Sequence, residues 1–272
     1  MKILKFLFVF VFIIGLVVAI WFYYPQYQIL QMKKQAVEAS SNTSKISYLN
    51  YFRNSKKTMV YHLAIGDSVI HGIGAPKDEN LVYQFSNKLG NQIHKKIHFQ
   101  NDGIDGITSG ELKNLILKRK FDIEIKKADI ITINVGGNDI LRMVKGGNVY
   151  NALQNFGEIK STFSKNLTDI TARIRTLNPK ATIVFLELYN PLPPSDQVYS
   201  LADKLLPNWN LQIYKVAAHH PSSIVVDTTK VINGEKLKNL SPDGVHPNSA
   251  GYAAISEQMI YQFKHQYRKK AV

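Results

Sequence analysis

The sequence predicts an α/β domain, a parallel five-stranded sheet covered by helices on both faces, carried behind an N-terminal apolar helix. Three observations predict it. From residue 58 onward, short runs rich in Val, Ile and aromatic residues alternate with longer stretches spaced for amphipathic helices, the pattern of strands joined by helical crossovers. Residues 6–24 carry no charged side chain. The composition, 45% hydrophobic and 20% charged over 272 residues, is that of a globular chain and excludes a fully disordered one.

The N-terminal element comes first. At about 1.5 Å per helical residue, residues 6–24 cover about 28 Å, close to the ~30 Å hydrocarbon core of a bilayer. Lys2 and Lys5 precede the run, and Trp21, Tyr23 and Tyr24 close it, which places its start in the cytoplasm and its aromatic end at the far interface. Pro25 is expected to end the helix. Residues 1–24 are therefore read as a membrane anchor, single-pass, with the rest of the chain outside the cytoplasm. A buried core helix is disfavoured because the run is apolar on every face. Cleavage after Val17-Val18-Ala19, giving a secreted protein, is the alternative; it would leave Ile20-Trp21-Phe22-Tyr23-Tyr24 exposed on the mature end. Residues 25–57 are polar and mixed, with some helical character near 29–37, and read as a stalk. The domain is expected over 58–272.

Within the domain, residues 59–65 read as a buried strand, 81–93 as a helix and 96–100 as a short strand. Residues 109–118 form a helical pattern with Leu112, Leu115 and Ile116 on one face. A strongly apolar strand follows at 128–135, then a long helix over 149–177 stopped by Asn178-Pro179. The fourth strand covers 181–188. Residues 197–218 are helical with an interruption at Pro207, the fifth strand covers 223–227, and a last helix covers 248–267.

Ligands of a parallel sheet collect at the carboxyl ends of its strands. Gly66-Asp67-Ser68-Val69 follows the first strand, and Asn101-Asp102-Gly103-Ile104-Asp105-Gly106 the second. Gly136-Gly137-Asn138-Asp139 follows the third, and Asp243-Gly244-Val245-His246-Pro247 comes after the fifth. These residue types suit acyl transfer. Ser68 supplies a hydroxyl nucleophile, and the imidazole of His246 is a base of the kind that works near neutral pH. Asp243 can fix the imidazole tautomer as the third member of a triad. The backbone amides of Ser68 and Gly106 and the side-chain amide of Asn138 can serve as oxyanion donors.

These blocks resemble those of the SGNH, or GDSL, esterase/lipase superfamily, and the whole chain looks like its membrane-anchored lipase/acylhydrolase members from Gram-positive bacteria. Val69 stands where the family name has Leu. The blocks occur in family order across residues 59–252. The resemblance implies a flavodoxin-like three-layer α/β/α sandwich. It also implies Ser68 as nucleophile, Gly106 and Asn138 in the oxyanion hole, and Asp243 and His246 as the other triad members. Ile70 replaces a Thr usual in the first block, a departure that bears on the acyl pocket rather than on the chemistry. His71, three residues after Ser68, reads as a polar helix-turn residue without catalytic duty. Tyr189-Asn190-Pro191 also resembles a family loop but receives no role.

Other chemistries lack their signatures. The chain has no Cys, so disulfides, thiolate zinc sites, a Cys nucleophile and a lipid-modified cysteine are excluded. There is no phosphate loop, no dinucleotide fingerprint and no Gly-x-Ser-x-Gly elbow. No cofactor or metal is expected, and no basic tract with interleaved aromatics suggests nucleic acid. The formal net charge of +14 favours anionic partners such as wall polymer or lipid head groups. The principal reading is a serine esterase acting on lipid or O-acyl carbohydrate esters, with the membrane as a partner through the N-terminal helix. The alternative is a non-catalytic basic module that binds anionic polymer or lipid.

Overall fold

The computed structural model describes residues 2–38, 45–144 and 149–269. It opens with helix α1 (Lys2–Glu38), strand β1 (Lys45–Ser47) and helix α2 (Tyr48–Asn54). The alternating core then runs β2 (Met59–Gly66), α3 (Ser68–His71), α4 (Leu81–Ile93), β3 (Lys96–Gly103), α5 (Ser109–Leu117), α6 (Asp122–Lys127), β4 (Ile130–Asn134), α7 (Gly137–Val144) and α8 (Val149–Leu177). It closes with β5 (Thr182–Leu186), α9 (Tyr199–His219), β6 (Ser223–Val226), α10 (Ser249–His265) and β7 (Tyr267–Lys269).

The five long-range strands pair in the order β3-β2-β4-β5-β6, all parallel. Successive residues alternate between two cores, as a sheet covered on both faces requires. Leu63, Ile65, Ile131, Ile133, Ile183, Phe185 and Val225 face the layer of α5, α6, α8 and α9. Val60, Ala64, Ile130, Val184, Ile224 and Val226 face α2, α4 and α10. The expected α/β/α sandwich with a five-stranded parallel sheet is therefore the observed fold. In the middle of the sheet His62 is buried, its two ring nitrogens 2.9 Å from Ser86 Oγ and Thr132 Oγ1, and burial pushes its pKa down to about 3.

The structure departs from the sequence expectations in four places. Strand β3 runs on to Gly103 in register with Gly66, three residues past the expected end, because the β2 partner continues beside it. Helix α9 passes through Pro207 without a break. Asn208, Trp209, Asn210 and Leu211 are buried directly after it, and tertiary packing of that extent outweighs the ~3 kcal/mol penalty of an interior proline. Helix α1 likewise continues through Pro25. A proline cannot bond the carbonyl four residues earlier; here the side-chain amide of Asn208 reaches that carbonyl, on Trp21, at 3.5 Å. Pro25 and Ile29 are buried, on one face at helical spacing, and α1 packs along α9.

The fourth difference follows from the third. A free stalk over 25–57 is not what the described residues of that segment form. Lys33 lies 3.1 Å from Glu187 and 3.0 Å from Asp227, both carboxylates nearly inaccessible. Strand β1 pairs antiparallel with β7, and Tyr48, Leu49 and Phe52 of α2 enter the second core. Ser47 caps α2 by accepting from the Asn50 amide. The polar composition of 25–57 conceals a few apolar residues that are buried, Pro25 and Ile29 on α1 and Tyr48, Leu49 and Phe52 on α2.

Candidate active site

The carboxyl edge of the sheet gathers the residues singled out in the sequence. Strand β2 ends at Gly66, whose φ of +152° and whose neighbour, the Asn134 carbonyl oxygen 2.0 Å from where a Cβ would sit, leave no room for a side chain. The chain then turns directly into α3. Asp67 is the N-cap: its Oδ1 accepts from the Val69 amide at 3.0 Å and from Asn134 Nδ2 at 2.9 Å. Ser68 thus becomes the first residue of a short helix, partly accessible above the sheet.

Between β6 and α10 a tight turn presents His246. The Ser241 amide donates to the His246 carbonyl at 2.8 Å, the Gly244 amide donates to Ser241 at 3.0 Å, and Leu240 bridges Pro247. The Tyr189 hydroxyl donates to the Val245 carbonyl at 2.9 Å, so the family-like loop after β5 supports this turn. Asp243 Oδ1 accepts from Ser241 Oγ at 2.7 Å and from the amides of Val245 and His246 at 2.8 and 3.0 Å. Asp243 Oδ2 lies 2.7 Å from His246 Nδ1, and His246 Nε2 lies 2.7 Å from Ser68 Oγ. An ionised carboxylate only accepts, so Nδ1 carries the proton and Nε2 is left to accept from the Ser68 hydroxyl. Burial works to raise the Asp243 carboxyl, but the hydrogen bonds from Ser241, Val245 and His246 outweigh it and hold the group well below the usual carboxylate range.

The remaining two candidates lie just past the ends of β3 and β4. Gly106 is exposed with φ +72°, a left-handed conformation that glycine adopts without strain. Among the described residues, neither the Ser68 nor the Gly106 amide donates to a protein acceptor. Asn138, in the first turn of α7, donates from Nδ2 to the Ile107 carbonyl at 3.0 Å, and the amide's second N–H is free of that bond.

The loop that carries Gly106 is fastened by residues the sequence reading did not select. Asp139 accepts from the Ser109 amide at 2.9 Å and from Ser109 Oγ at 2.6 Å. Arg142 reaches Glu111 through both terminal nitrogens, at 2.9 and 3.0 Å, and also donates to the Gly106 carbonyl at 2.9 Å. Hydrogen bonding to Arg142 and to the Thr108 amide draws the Glu111 carboxyl down to about 2. Asn101 donates to the Ile70 carbonyl at 2.7 Å and accepts from the Gly103 amide at 3.0 Å, joining the end of β3 to α3. The carboxylate three residues after Thr108, a capping box with Glu111, was the one local signal in the sequence for this network.

One further expectation changes, and one gains a partner. Ile70 is fully buried in the core against α4 and α10, so its substitution for Thr alters packing beneath Ser68 rather than a pocket above it. His71 is paired: Nδ1 lies 2.7 Å from Asp105 Oδ1, with both side chains half-exposed. Among the described residues, no group of three His, Cys, Asp or Glu is arranged to hold a metal ion.

Comparison with known proteins places this architecture. The model of the GDSL-like lipase/acylhydrolase family matches residues 64–254, more than half of the chain and every block described above. The spore germination lipase LipC of Bacillus licheniformis is 29% identical over 206 residues, covering 73% of this chain and 93% of that one. The solved lipase Lip_vut3 from a goat rumen metagenome is 28% identical at a TM-score of 0.65, covering 75% of this chain and 98% of its own. A family 3 carbohydrate esterase of Clostridium thermocellum shares the fold at a TM-score of 0.54 and 18% identity, over 75% of this chain and 94% of that one.

Proposed function

The chain belongs to the GDSL-like lipase/acylhydrolase family and is an ester-bond hydrolase, and from that premise we propose that it cleaves carboxylic esters through a triad of Ser68, His246 and Asp243. The observation that carries this reading is the unbroken relay Asp243–His246–Ser68, with 2.7 Å at each link. Ser68 Oγ attacks the ester carbonyl carbon while His246 Nε2 takes the hydroxyl proton. The negative charge that develops on the carbonyl oxygen is met by the Ser68 and Gly106 amides and by Asn138, donors that are fixed before the substrate arrives. The tetrahedral intermediate expels the alcohol, which leaves with the proton from His246. Water then gives a proton to the same nitrogen and attacks the acyl-Ser68 ester; the acyl–Oγ bond breaks, His246 returns the proton to Ser68 Oγ, and the acid leaves. Asp243 stays ionised throughout and stabilises the imidazolium.

The reading as a non-catalytic basic module is not favoured, because binding an anionic polymer needs no relay of this kind. Residues 1–24 are proposed to anchor the chain in the membrane with the domain outside the cytoplasm. The helix from Lys5 to Ala36 contains a window of mean hydropathy 2.8, and its large apolar residues up to Ile20 are exposed.

The test is hydrolysis of a short-chain aryl ester by the full chain in detergent. Turnover by the wild type that falls to background in Ser68→Ala is expected; equal rates would refute the assignment. The mass of the protein extracted from membranes tests the anchor, since loss of the residues through Ala19 would make it a cleaved signal.

A further inference from the structure

We propose that α1 is a docked strut that holds the catalytic edge of the sheet against the outer face of the chain's own membrane, so that the site works on ester groups presented at that surface. The proposal rests on the anchor and esterase readings above and adds to them an orientation.

The orientation follows from chain direction. Strand β5 ends at the carboxyl edge, β6 begins at the amino edge, and α9 connects the two. Helix α9 therefore descends from the active-site edge to the opposite one. The contacts of α1 with α9 fix their relative direction: Trp21 and Phe22 meet the first half of α9, and Lys33 meets it further on. Lys204 Nζ lies 5.9 Å over the Phe22 ring, Asn208 reaches the Trp21 carbonyl, and Lys33 Nζ lies 5.4 Å over the Tyr214 ring. Helix α1 thus runs parallel to α9, with its N-terminal half projecting past the active-site edge. The chain beyond α1 agrees independently. The Tyr48 hydroxyl donates to the Ser223 carbonyl at 3.2 Å, and Ser223 is the first residue of β6, so the chain after α1 resumes at the amino edge.

The distance follows from the same contacts. Lys33 bridges Glu187 and Asp227, the residues directly after β5 and β6, and the Tyr214 hydroxyl donates to the same two carboxylates at 2.9 and 2.8 Å. Lys33 is thereby tied to the level of the strand ends. It lies nine positions beyond Tyr24, about 14 Å of helix at ~1.5 Å per residue. Ser68 is two strands across from β5 in the sheet order, about 10 Å at ~4.8 Å per strand. The reacting hydroxyl accordingly sits on the order of one helix diameter from the level of the aromatic residues that close the apolar run. Trp21, Tyr23, Tyr24 and Tyr27 are all exposed there, as suits rings at a head-group layer. The strut is held firmly: Pro25 and Ile29 are buried and Lys33 is paired twice, so the edge is not free to turn away from the bilayer. Leu141 on α7, which rises from the carboxyl end of β4, is an exposed apolar residue on this side.

The absence of Cys makes the test direct. Leu141→Cys places a fluorescent label at the active-site edge, and Ile123→Cys places one at the opposite edge, just before β4. Each labelled full-length protein is reconstituted into phosphatidylcholine vesicles containing a head-group nitroxide lipid, and flotation establishes that it stays with the vesicles. Quenching at residue 141 at least three-fold stronger than at residue 123 is expected. Equal or reversed quenching overturns the orientation, and loss of the protein from the vesicles overturns both the anchor and the proposal. A second arm supplies a fluorogenic acyl-lipid either in the protein's own vesicles or in separate ones. Turnover at least about ten-fold faster in the shared vesicles is expected, and equal rates overturn surface confinement. Ser68→Ala separates the two readings: it should abolish turnover and leave the quenching pattern unchanged.

Discussion

Two His–Asp couples stand on the same edge of the sheet, and only one of them is placed to activate a serine. His246 and Asp243 are 2.7 Å apart, and so are His71 and Asp105. Their surroundings differ. Asp243 is gripped by a hydroxyl and two backbone amides besides the imidazole, and its turn is closed by backbone bonds and supported by Tyr189. The far nitrogen of His246 meets Ser68 Oγ. Asp105 accepts from no other protein group among the described residues, both its side chain and that of His71 are 52% exposed, and the hydrogen bonds of the described residues include none between His71 and the Ser68 hydroxyl. The contact distance is common to both couples; what separates them is the fixed carboxylate on one side and the Ser68 hydroxyl on the other. A surface pair of the second kind contributes little to stability.

The largest effect that sharpens this contrast is expected for Asp243→Asn. The amide holds the imidazole in the wrong tautomer, and kcat should fall by roughly 10⁴ with KM changed far less. A loss below ten-fold would mean that the gripped carboxylate is not what makes the first couple work. An intermediate effect is expected beneath Ser68. Burial pushes the Asp67 carboxyl up from 3.8 to about 6, against the hydrogen bonds from Asn134 and Val69. The native state therefore holds this proton more tightly than the unfolded chain does. Stability from the group is full below about pH 4 and is lost as pH rises from about 4 to about 6. Asp67→Asn keeps an acceptor oxygen and cannot ionise. In denaturant unfolding, the variant's stability relative to wild type should rise by up to about 3 kcal/mol between pH 4 and pH 7, and a flat difference would contradict the assignment. The smallest effect is expected for His71→Ala, whose kcat/KM should stay within about three-fold of wild type, as for loss of an exposed ion pair. A drop comparable to that of Asp243→Asn would erase the distinction between the couples.

Much of this was legible in the sequence, for physical reasons. Strands buried on both faces read as continuous apolar runs, so β2, β4 and β5 stand out within a residue or two of their observed ends. The residues around Ser68, Asn138 and His246 were legible because parallel connectivity sends every strand end to one edge. The first 57 residues were read less well. Pro25 and the polar composition after it pointed to a helix end and a stalk, whereas the burial of Pro25 and Ile29 and the pairing of Lys33 depend on partners more than 150 residues away in α9 and after β5 and β6. The Asp139 and Arg142 contacts that fasten the Gly106 loop were hidden for the same reason, since they join α7 to α5 across about 30 positions.

The claim on which the rest depends is that Ser68 is the activated hydroxyl, and covalent labelling tests it most directly. A fluorophosphonate should attach once per chain, and peptide mapping should locate the adduct on Ser68. The labelling rate should fall by several orders of magnitude in His246→Ala and hold in His71→Ala. An adduct on another residue, or labelling of Ser68 undiminished by His246→Ala, would contradict the account.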